Sequence, residues 1–379
     1  MTTLEGSKKI VQLLLAGLAL LLCGQSYAAV VNNARGLPHT KAAYTTRAGH
    51  LTTAANLRFW GKKSPYADDN PDNKTNIWVV RALANLNYGF NTHGDVSLTP
   101  ILYQDAHKLK DDYSEDPQIL WDSFLNIKFG NYKVEKQPIW LGFDLGMRFP
   151  TGKKHNVIFE DYTAGKFEFG LTGLLTYRYA NPNLENDFRI HANLGYWNYN
   201  DRGTQLTEVE PPELGKVDAM SQSIHYATGI QFPTRNFEYG LEFYGLAWLV
   251  RPPVGAASRE NYFYMNVSFV YKPDHRFYLF SNADLRLSPA NNSTERFTPH
   301  LPGMPSFPGW RINLGLKFQI LPTVYDMHKT SVERQQEVKT KSLYVQLKRE
   351  MQKTEKSKAE LERLRKEKAE RENVTPPSQ

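Results

Sequence analysis

Hydrophobic and polar residues alternate with a period of two through most of the chain between about residues 50 and 321. In the clearest segment, residues 310–320, one face carries tryptophan, isoleucine, leucine and phenylalanine and the other carries arginine, asparagine, glycine, lysine and glutamine. Successive side chains of a β-strand point to opposite faces, so this segment predicts a strand with one apolar and one polar side. Residues 139–149 repeat the pattern, and no long stretch here has the helical period of 3.6.

Twelve such segments lie near residues 50–60, 76–90, 94–105, 119–130, 138–149, 165–179, 187–199, 221–232, 236–250, 261–272, 276–288 and 309–321. Their connections alternate between long ones (61–75, 106–118, 150–164, 200–220, 251–260, 289–308) and short ones (91–93, 131–137, 180–186, 233–235, 273–275). Long extracellular loops and short periplasmic turns are typical of outer-membrane barrels. The pattern predicts an all-β fold: an antiparallel transmembrane β-barrel of about 12 strands.

A soluble sandwich or lipocalin-like barrel would alternate in the same way, with its apolar face buried. Two features favour the membrane barrel: strands longer than the usual five or six residues, and aromatic residues near the strand ends, where membrane barrels carry interfacial girdles. The expected girdle residues are Trp60, Trp78, Phe90, Trp121, Phe129, Trp140, Phe149, Tyr177, Tyr179, Phe237, Phe277 and Trp310.

The first 28 residues have the features of a secretory signal peptide. Lys8 and Lys9 precede an apolar run over residues 10–23, and small residues precede a cleavage site after Ala28. The only cysteine, Cys23, lies in this segment, so a disulfide framework or a Cys-x-x-Cys zinc site is excluded. We therefore expect a signal peptide over residues 1–28 and the barrel over 29–324, exported to the cell outer membrane of a Gram-negative bacterium.

Residues 325–379 differ in composition from the barrel. Aromatic residues almost vanish, and residues 326–379 hold 14 Lys and Arg against 10 Asp and Glu. Residues 342–373 are rich in helix formers, and Leu347, Thr354 and Leu361 have heptad spacing. This indicates a charged helical tail, either a solvated single helix or a coiled-coil or docking helix. An even number of strands returns the chain to the side where the barrel began, so we expect the tail in the periplasm. Since the tail carries +4 of the net charge of +7, the basicity does not indicate a nucleic-acid partner.

The last predicted strand ends with a specific motif. Asn313, Gly315, Phe318 and Ile320 resemble the assembly signal that bacterial outer-membrane proteins carry there. The resemblance implies insertion into outer-membrane lipid by the barrel-assembly machinery.

Because side chains alternate between the two faces of each strand (strand parity), the apolar face is assigned to lipid and the polar face to the lumen. The charged residues expected to line it are Arg58, Arg81, Asp122, Lys128, Asp144, Arg148, Lys166, Glu168, Arg178, Arg189, Glu238, Glu242, Asp284, Arg286, Arg311 and Lys317. The basic excess among them would favour anions in a pore. The alternative is that these charges pair across strands and fill a narrow barrel.

The sequence offers little sign of catalysis. It contains no G-x-S-x-G, H-E-x-x-H or P-loop motif, and parity points His191 and His225 inward rather than toward lipid. We expect no enzymatic activity, no cofactor and no metal site.

Two short motifs suggest a family. Residues 149–153 (FPTGK), which follow the strand 139–149, and residues 191–196 (HANLGY) are similar to strand segments of the meta-pathway phenol degradation proteins, which are regarded as outer-membrane transporters. The resemblance implies transport of aromatic or other hydrophobic compounds. Together with the basic lumen, it predicts passive transport of small hydrophobic or anionic solutes. The alternative function is a structural barrel that anchors a basic periplasmic helix, which docks a partner or the cell wall.

Overall fold

The strands of the chain close on themselves into one antiparallel barrel. The computed structural model describes residues 35–65, 74–104, 118–178, 188–295 (without 208, 210, 235 and 275), 306–322, 343, 346–348 and 350–368. The expected signal peptide over residues 1–28 lies outside the described residues.

Twelve long strands and one two-residue strand form the sheet. They are β1 (Leu51–Pro65), β2 (Lys74–Gly89), β3 (Gly94–Gln104), β4 (Gln118–Ile119), β5 (Ser123–Lys133), β6 (Ile139–Phe149), β7 (Glu168–Arg178), β8 (Arg189–Asn198), β9 (Gln222–Pro233), β10 (Phe237–Val250), β11 (Tyr262–Tyr271), β12 (Phe277–Arg286) and β13 (Trp310–Leu321). Pairing of β1 with both β2 and β13 closes the barrel, and β4 only extends the pairing of β3. The predicted antiparallel barrel of twelve strands is confirmed.

Burial along the strands is the reverse of that in a soluble barrel. On β13, Ile312, Leu314 and Leu316 are exposed, whereas Arg311 and Lys317 are buried. The same pattern of exposed apolar and buried polar side chains continues around the barrel. Its outer face carries exposed leucine, phenylalanine and tyrosine side chains on nearly every strand. Large contiguous apolar surfaces are not left facing water in soluble monomers, so this face is suited to lipid.

The two ends of the barrel differ. The end with the short connections, where β1 begins and β13 ends, is called the turn end below, and the opposite end is called the loop end. At the loop end, residues from three connections pack into one small apolar cluster: Tyr162, Ala164, Tyr199, Leu206, Val209, Val217 and Ala256. The loops are therefore held together by a core of their own.

The predicted aromatic girdle is only partly correct. Trp78, Phe90, Phe149 and Phe237 are exposed at strand ends, as expected. Trp60 and Trp121 are only 2% exposed, so assigning them to the girdle was wrong. Trp60 has the same parity as Arg58 and points into the barrel.

The tail is a separate unit, residues 322–379. Residues 343, 346–348 and 350–368 are helical, and every one of them is exposed, including Leu347 and Leu361 of the predicted heptad seam. Among the described residues, no helix has the length and apolar character needed to cross a membrane. The periplasmic location of the tail stays a prediction.

Candidate functional site

A segment that precedes the first strand lies inside the turn-end half of the lumen. Residues 35–47, called the N-terminal hairpin below, reverse direction over Leu37–Thr40, where the Leu37 amide donates to the Thr40 carbonyl at 2.8 Å. Gly36 and Lys41 form the bridge below this turn. Leu37, Thr40 and Ala43 are almost completely buried. The hairpin is therefore packed inside the barrel rather than lying outside it.

The tip of the hairpin is hydrogen-bonded to two carboxylates of the barrel wall. The His39 amide donates to both oxygens of Glu242 at 3.1 Å, and Thr40 Oγ1 donates to Glu242 Oε2 at 2.7 Å. His39 Nε2 lies 3.0 Å from Asp284 Oδ1, and its ring stacks on Tyr244 with the ring centroids 3.8 Å apart. Glu242 therefore accepts hydrogen bonds from the hairpin instead of pairing with an arginine of the lumen wall.

The stem of the hairpin is bound to the opposite wall. Lys41 Nζ lies 2.5 Å from Asp144 Oδ2, and the Lys41 amide donates to Asn193 Oδ1 at 2.6 Å. Nearer the turn end, the Thr46 amide donates to Asp95 Oδ2 at 2.6 Å. Amides that would otherwise lose their partners on burial are satisfied by wall side chains, so the position of the hairpin is specified along its length.

Inward-facing glycines make room for the hairpin. A Cβ atom added at Gly130 would collide with the Ala43 carbonyl oxygen, and one added at Gly89 would collide with that of Arg47. A Cβ at Gly229 or at Gly240 would collide with the Leu37 side chain. Glycine within a strand often marks a close approach of another backbone, which is its role here.

From the loop end, the connection between β6 and β7 folds into the barrel. In this segment, residues 150–167, called the inward loop below, Phe159 packs against Trp60 with the ring centroids 4.7 Å apart. Glu160 Oε2 accepts a hydrogen bond from Arg81 at 2.7 Å and lies 3.7 Å from Arg58 Nη1. Since Arg58 and Arg81 face each other across β1 and β2, Glu160 lowers the repulsion between two like charges and offsets one of them.

The next anchor of the inward loop is Tyr162. Its hydroxyl donates to Asp201 Oδ2 at 2.8 Å, and its carbonyl accepts from Arg148 Nη1 at 3.1 Å. Burial raises the pKa of Tyr162 well above its ordinary value, and the Asp201 carboxylate raises it further. The phenol therefore stays protonated as a hydrogen-bond donor, and the loop is held on both sides of Asp161.

Between the hairpin tip and the inward loop lies a cavity of about 230 Å³. Its two sides differ in chemistry. Basic side chains come from β1, β2 and β6, and most of the aromatic ones come from β8 to β11 and the loops next to them, with Phe124 of β5 on the basic side. The basic side is formed by Arg58, Arg81 and Arg148, and the aromatic side by Tyr162, Trp197, Tyr199, Tyr244 and Tyr262. His39 and Lys41 of the hairpin lie at its floor.

Asp161 is the exposed carboxylate of this cavity. It lines the cavity and has no hydrogen bond or ion pair within the described part of the chain. Burial within the lumen raises the pKa of Asp161, but the guanidinium groups of Arg58, Arg81, Arg311 and Arg148 outweigh that effect and hold it below its ordinary value. Asp161 is therefore ionised and faces the basic side without touching it.

Most of the charged residues that were predicted to line the lumen have buried side chains. Those that are buried are Arg58, Arg81, Asp122, Lys128, Asp144, Arg148, Glu168, Arg189, Glu238, Glu242, Asp284, Arg311 and Lys317. Arg178 and Arg286 are half-buried, and Lys166 is exposed, preceding β7. Arg286 donates to the Phe307 carbonyl at 2.6 Å.

Opposite charges pair within this set and with residues outside it. The pairs include Arg148–Asp122 at 2.8 Å, Arg311–Asp284 at 3.1 Å, Lys272–Glu238 at 2.7 Å and Lys128–Asp95 at 3.4 Å. Asp95, Glu160 and Asp161 were not among the predicted lumen acids. They add negative charge inside the barrel, whereas Lys41 and Lys272, which were not predicted either, add positive charge.

Parity along β3 could have identified Asp95, which shares a face with Ser97 and Thr99. The hairpin and the two acids of the inward loop gave no comparable signal. They lie outside the strands, where side-chain direction does not follow a period.

The four residues of the proposed assembly signal lie on β13. Asn313 faces inward and accepts from Arg58 Nε at 3.2 Å, and Gly315 leaves space that the Phe280 ring occupies. Phe318 faces outward under the Arg276 guanidinium, and Ile320 is half-buried. Their recognition by the barrel-assembly machinery stays a prediction.

Within the described ranges, no group of three histidine, cysteine or acidic side chains is arranged to hold a metal ion.

No known protein family matches the chain, and no curated protein matches it. Solved structures that it resembles include the NanC porin (9% identity, TM-score 0.45, covering 71% of this chain and 98% of that one) and an outer membrane channel from Pseudomonas putida F1 (10%, 0.42, 73% and 98%). A third is the outer membrane channel DcaP of Acinetobacter baumannii (11%, 0.26, 74% and 100%). At these TM-scores the similarities say nothing about a solute. The resemblance to the meta-pathway phenol degradation proteins stays a prediction.

Proposed function

We propose that this chain is an outer-membrane channel for the passive movement of small polar solutes. The observation that carries the proposal is the cavity of about 230 Å³, lined by charged and aromatic side chains, inside a closed barrel with an apolar outer face. A barrel whose only role was to anchor the chain would not need such a cavity. Ligand sites are concave, with a few polar groups placed among apolar and aromatic ones, and this cavity has that composition.

The location in the outer membrane follows from the same outer face. Exposed Leu57, Leu141, Leu171, Val267 and Leu314 lie on five different strands and would be in contact with acyl chains. In lipid, every backbone polar group must be satisfied internally, and a closed barrel does this for its strands. With the export signal expected at residues 1–28, this favours the bacterial outer membrane.

The charge preference of the channel follows from the pairing inside it. The sequence alone indicated a basic lumen that favours anions. Because most of the charged side chains inside the barrel lie next to a side chain of opposite charge, we expect only a weak preference for inorganic anions over cations.

Single-channel conductance of the purified full-length protein in planar bilayers tests the proposal. A steady conductance with weak anion preference in a salt gradient is expected, together with efflux of a small neutral sugar from proteoliposomes. Absence of both conductance and efflux, with the barrel shown to be folded, would contradict it.

The alternative function is a structural barrel that anchors the basic tail. It is favoured by the hairpin, which occupies half of the lumen. Cross-linking in intact cells should then recover a periplasmic protein or peptidoglycan with the full-length chain and not with a chain that ends at Leu321. Recovery of the same material with both chains would count against a docking tail.

A further inference from the structure

Charged side chains of both signs line the cavity, and this bears on the class of solute. We propose that it selects zwitterionic solutes with an apolar side group, of which aromatic α-amino acids are the simplest class. The inference rests on the proposed channel function and goes further by naming the substrate class.

The negative part of the proposed site is Asp161. It is open to the cavity, it is ionised, and no described residue pairs with it. Glu168 also lines the cavity, and its Oε1 atom lacks a hydrogen-bond partner in the described structure. Carboxylate oxygens in this state are complementary to an ammonium group, which has three hydrogen-bond donors.

The positive part is the arginine side. Arg81 donates to Glu160 through Nη1, but no described atom accepts from its Nε. Arg58 lies 3.7 Å from Glu160, at the long end of the range for an ion pair. A guanidinium group matches a carboxylate through two parallel hydrogen bonds, so this side suits a solute carboxylate.

The aromatic side would receive the rest of the solute. Tyr244 and Tyr262 meet edge to face with ring centroids 6.4 Å apart, and Tyr162 and Tyr199 do so at 5.2 Å. Such rings accept an apolar or aromatic side group.

Comparison of the possible solute charges favours the zwitterion. A simple anion is attracted by the arginines but repelled by Asp161. A simple cation is attracted by Asp161 but repelled by the arginines. An uncharged apolar solute would displace water from the arginines and from Asp161, and it could not replace the hydrogen bonds that these groups made to that water. A solute with one carboxylate and one ammonium satisfies both sets at once.

Three solutes with the same phenylethyl skeleton separate these cases. They are phenylalanine, 3-phenylpropanoate, which lacks the ammonium group, and 2-phenylethylamine, which lacks the carboxylate. Their efflux from proteoliposomes that contain the full-length protein is measured at pH 7, with a neutral sugar as the reference for general permeability. We expect phenylalanine to pass about tenfold faster than either analogue, the ratio that corresponds to one missing charge contact of about 1.4 kcal/mol.

The variant Asp161→Asn sharpens the test. It should slow phenylalanine and speed 3-phenylpropanoate, so that their order reverses, while the sugar rate stays the same. The matched control is Asp218→Asn, which removes one carboxylate from an exposed loop position outside the cavity and should leave the order unchanged. Glu168→Gln provides a second variant. It should also lower the ratio of the phenylalanine efflux rate to the rates of the two analogues.

Several results would overturn the inference. Equal rates for the three solutes, or a fastest rate for either single-charge analogue, would contradict zwitterion selectivity while leaving the channel itself intact. An unchanged order in Asp161→Asn would contradict the role of that residue. Absence of conductance and of sugar efflux would instead contradict the channel function, and the inference would fail with it.

Discussion

The two halves of the lumen are filled in different ways. In the turn-end half, the N-terminal hairpin is bound through its backbone amides to Glu242, Asn193 and Asp95, and glycines in the wall allow the chains to touch. In the loop-end half, the inward loop is bound through the Glu160 and Tyr162 side chains and the Tyr162 carbonyl, and it leaves the cavity open between a basic and an aromatic side. The hairpin therefore narrows the turn-end half, whereas the inward loop leaves a cavity in the loop-end half.

The largest expected effect concerns the wall of the loop-end half. Trp60→Ala removes a buried indole that packs on Phe159, and truncation of a buried aromatic residue costs about 3–5 kcal/mol. The free energy of unfolding, measured by urea titration in lipid vesicles, should fall by that amount. The neighbouring Phe59 faces outward, so Phe59→Ala should cost less. A larger loss for Phe59→Ala would show that the inward loop contributes little.

The next prediction concerns the turn-end half. In Gly130→Val the added side chain would collide with the Ala43 carbonyl, and overpacking of this kind costs about 1–3 kcal/mol. The hairpin should be displaced and single-channel conductance should rise severalfold.

Gly173→Val is the matched control, because Gly173 is exposed on β7 and a Cβ there meets only the Leu194 carbonyl at 3.7 Å. Equal conductance in the two variants would contradict a hairpin that limits flow.

The third prediction concerns the hairpin tip. Glu242→Leu removes the acceptor of both the His39 amide and the Thr40 hydroxyl, and each buried group left unsatisfied costs about 1–3 kcal/mol. Hydrogen exchange of the amides of residues 35–47 should speed up by roughly tenfold or more. The substitution Glu213→Leu, at an exposed position of a loop, should leave this exchange unchanged.

The smallest effect is a pH dependence in the loop-end half. The folded-state pKa of Asp161 lies below its ordinary value, so the stabilisation from its attraction to the arginines is complete above the unfolded value of about 4. It is lost only as the pH falls through the lower folded value. The difference in unfolding free energy between wild type and Asp161→Asn should be constant from pH 7 to about 5 and shrink in stronger acid. A difference that grows on acidification would contradict this assignment.

The strands and the inward direction of their polar side chains could be predicted from the sequence, because alternation along a segment such as β13 reports both. Trp60 was misassigned although it has the parity of Arg58, since its position near a strand end suggested a girdle. Its buried state depends on Phe159, about one hundred residues away in a loop.

The cavity could not be predicted, because its floor and roof come from segments without a period. Lys41 of the hairpin pairs with Asp144, and Glu160 of the inward loop pairs with Arg81, so both placements depend on partners distant in sequence. Small residues such as Ala42, Ala43 and Thr45 give the hairpin no local signal, although they are what allows it to fit against the wall glycines.

Reactivity of single cysteines toward a charged, membrane-impermeant thiol reagent tests the division of the lumen most directly. The reagent would be applied to purified barrels carrying either Asp161→Cys in the cavity or Ala43→Cys in the hairpin, with the single native cysteine replaced. We expect fast labelling at position 161 and labelling at position 43 that is slower by roughly two orders of magnitude, as a docking free energy of about 3 kcal/mol would give. Equal rates at the two positions would contradict a lumen that the docked hairpin narrows at the turn end and that is open at the loop end.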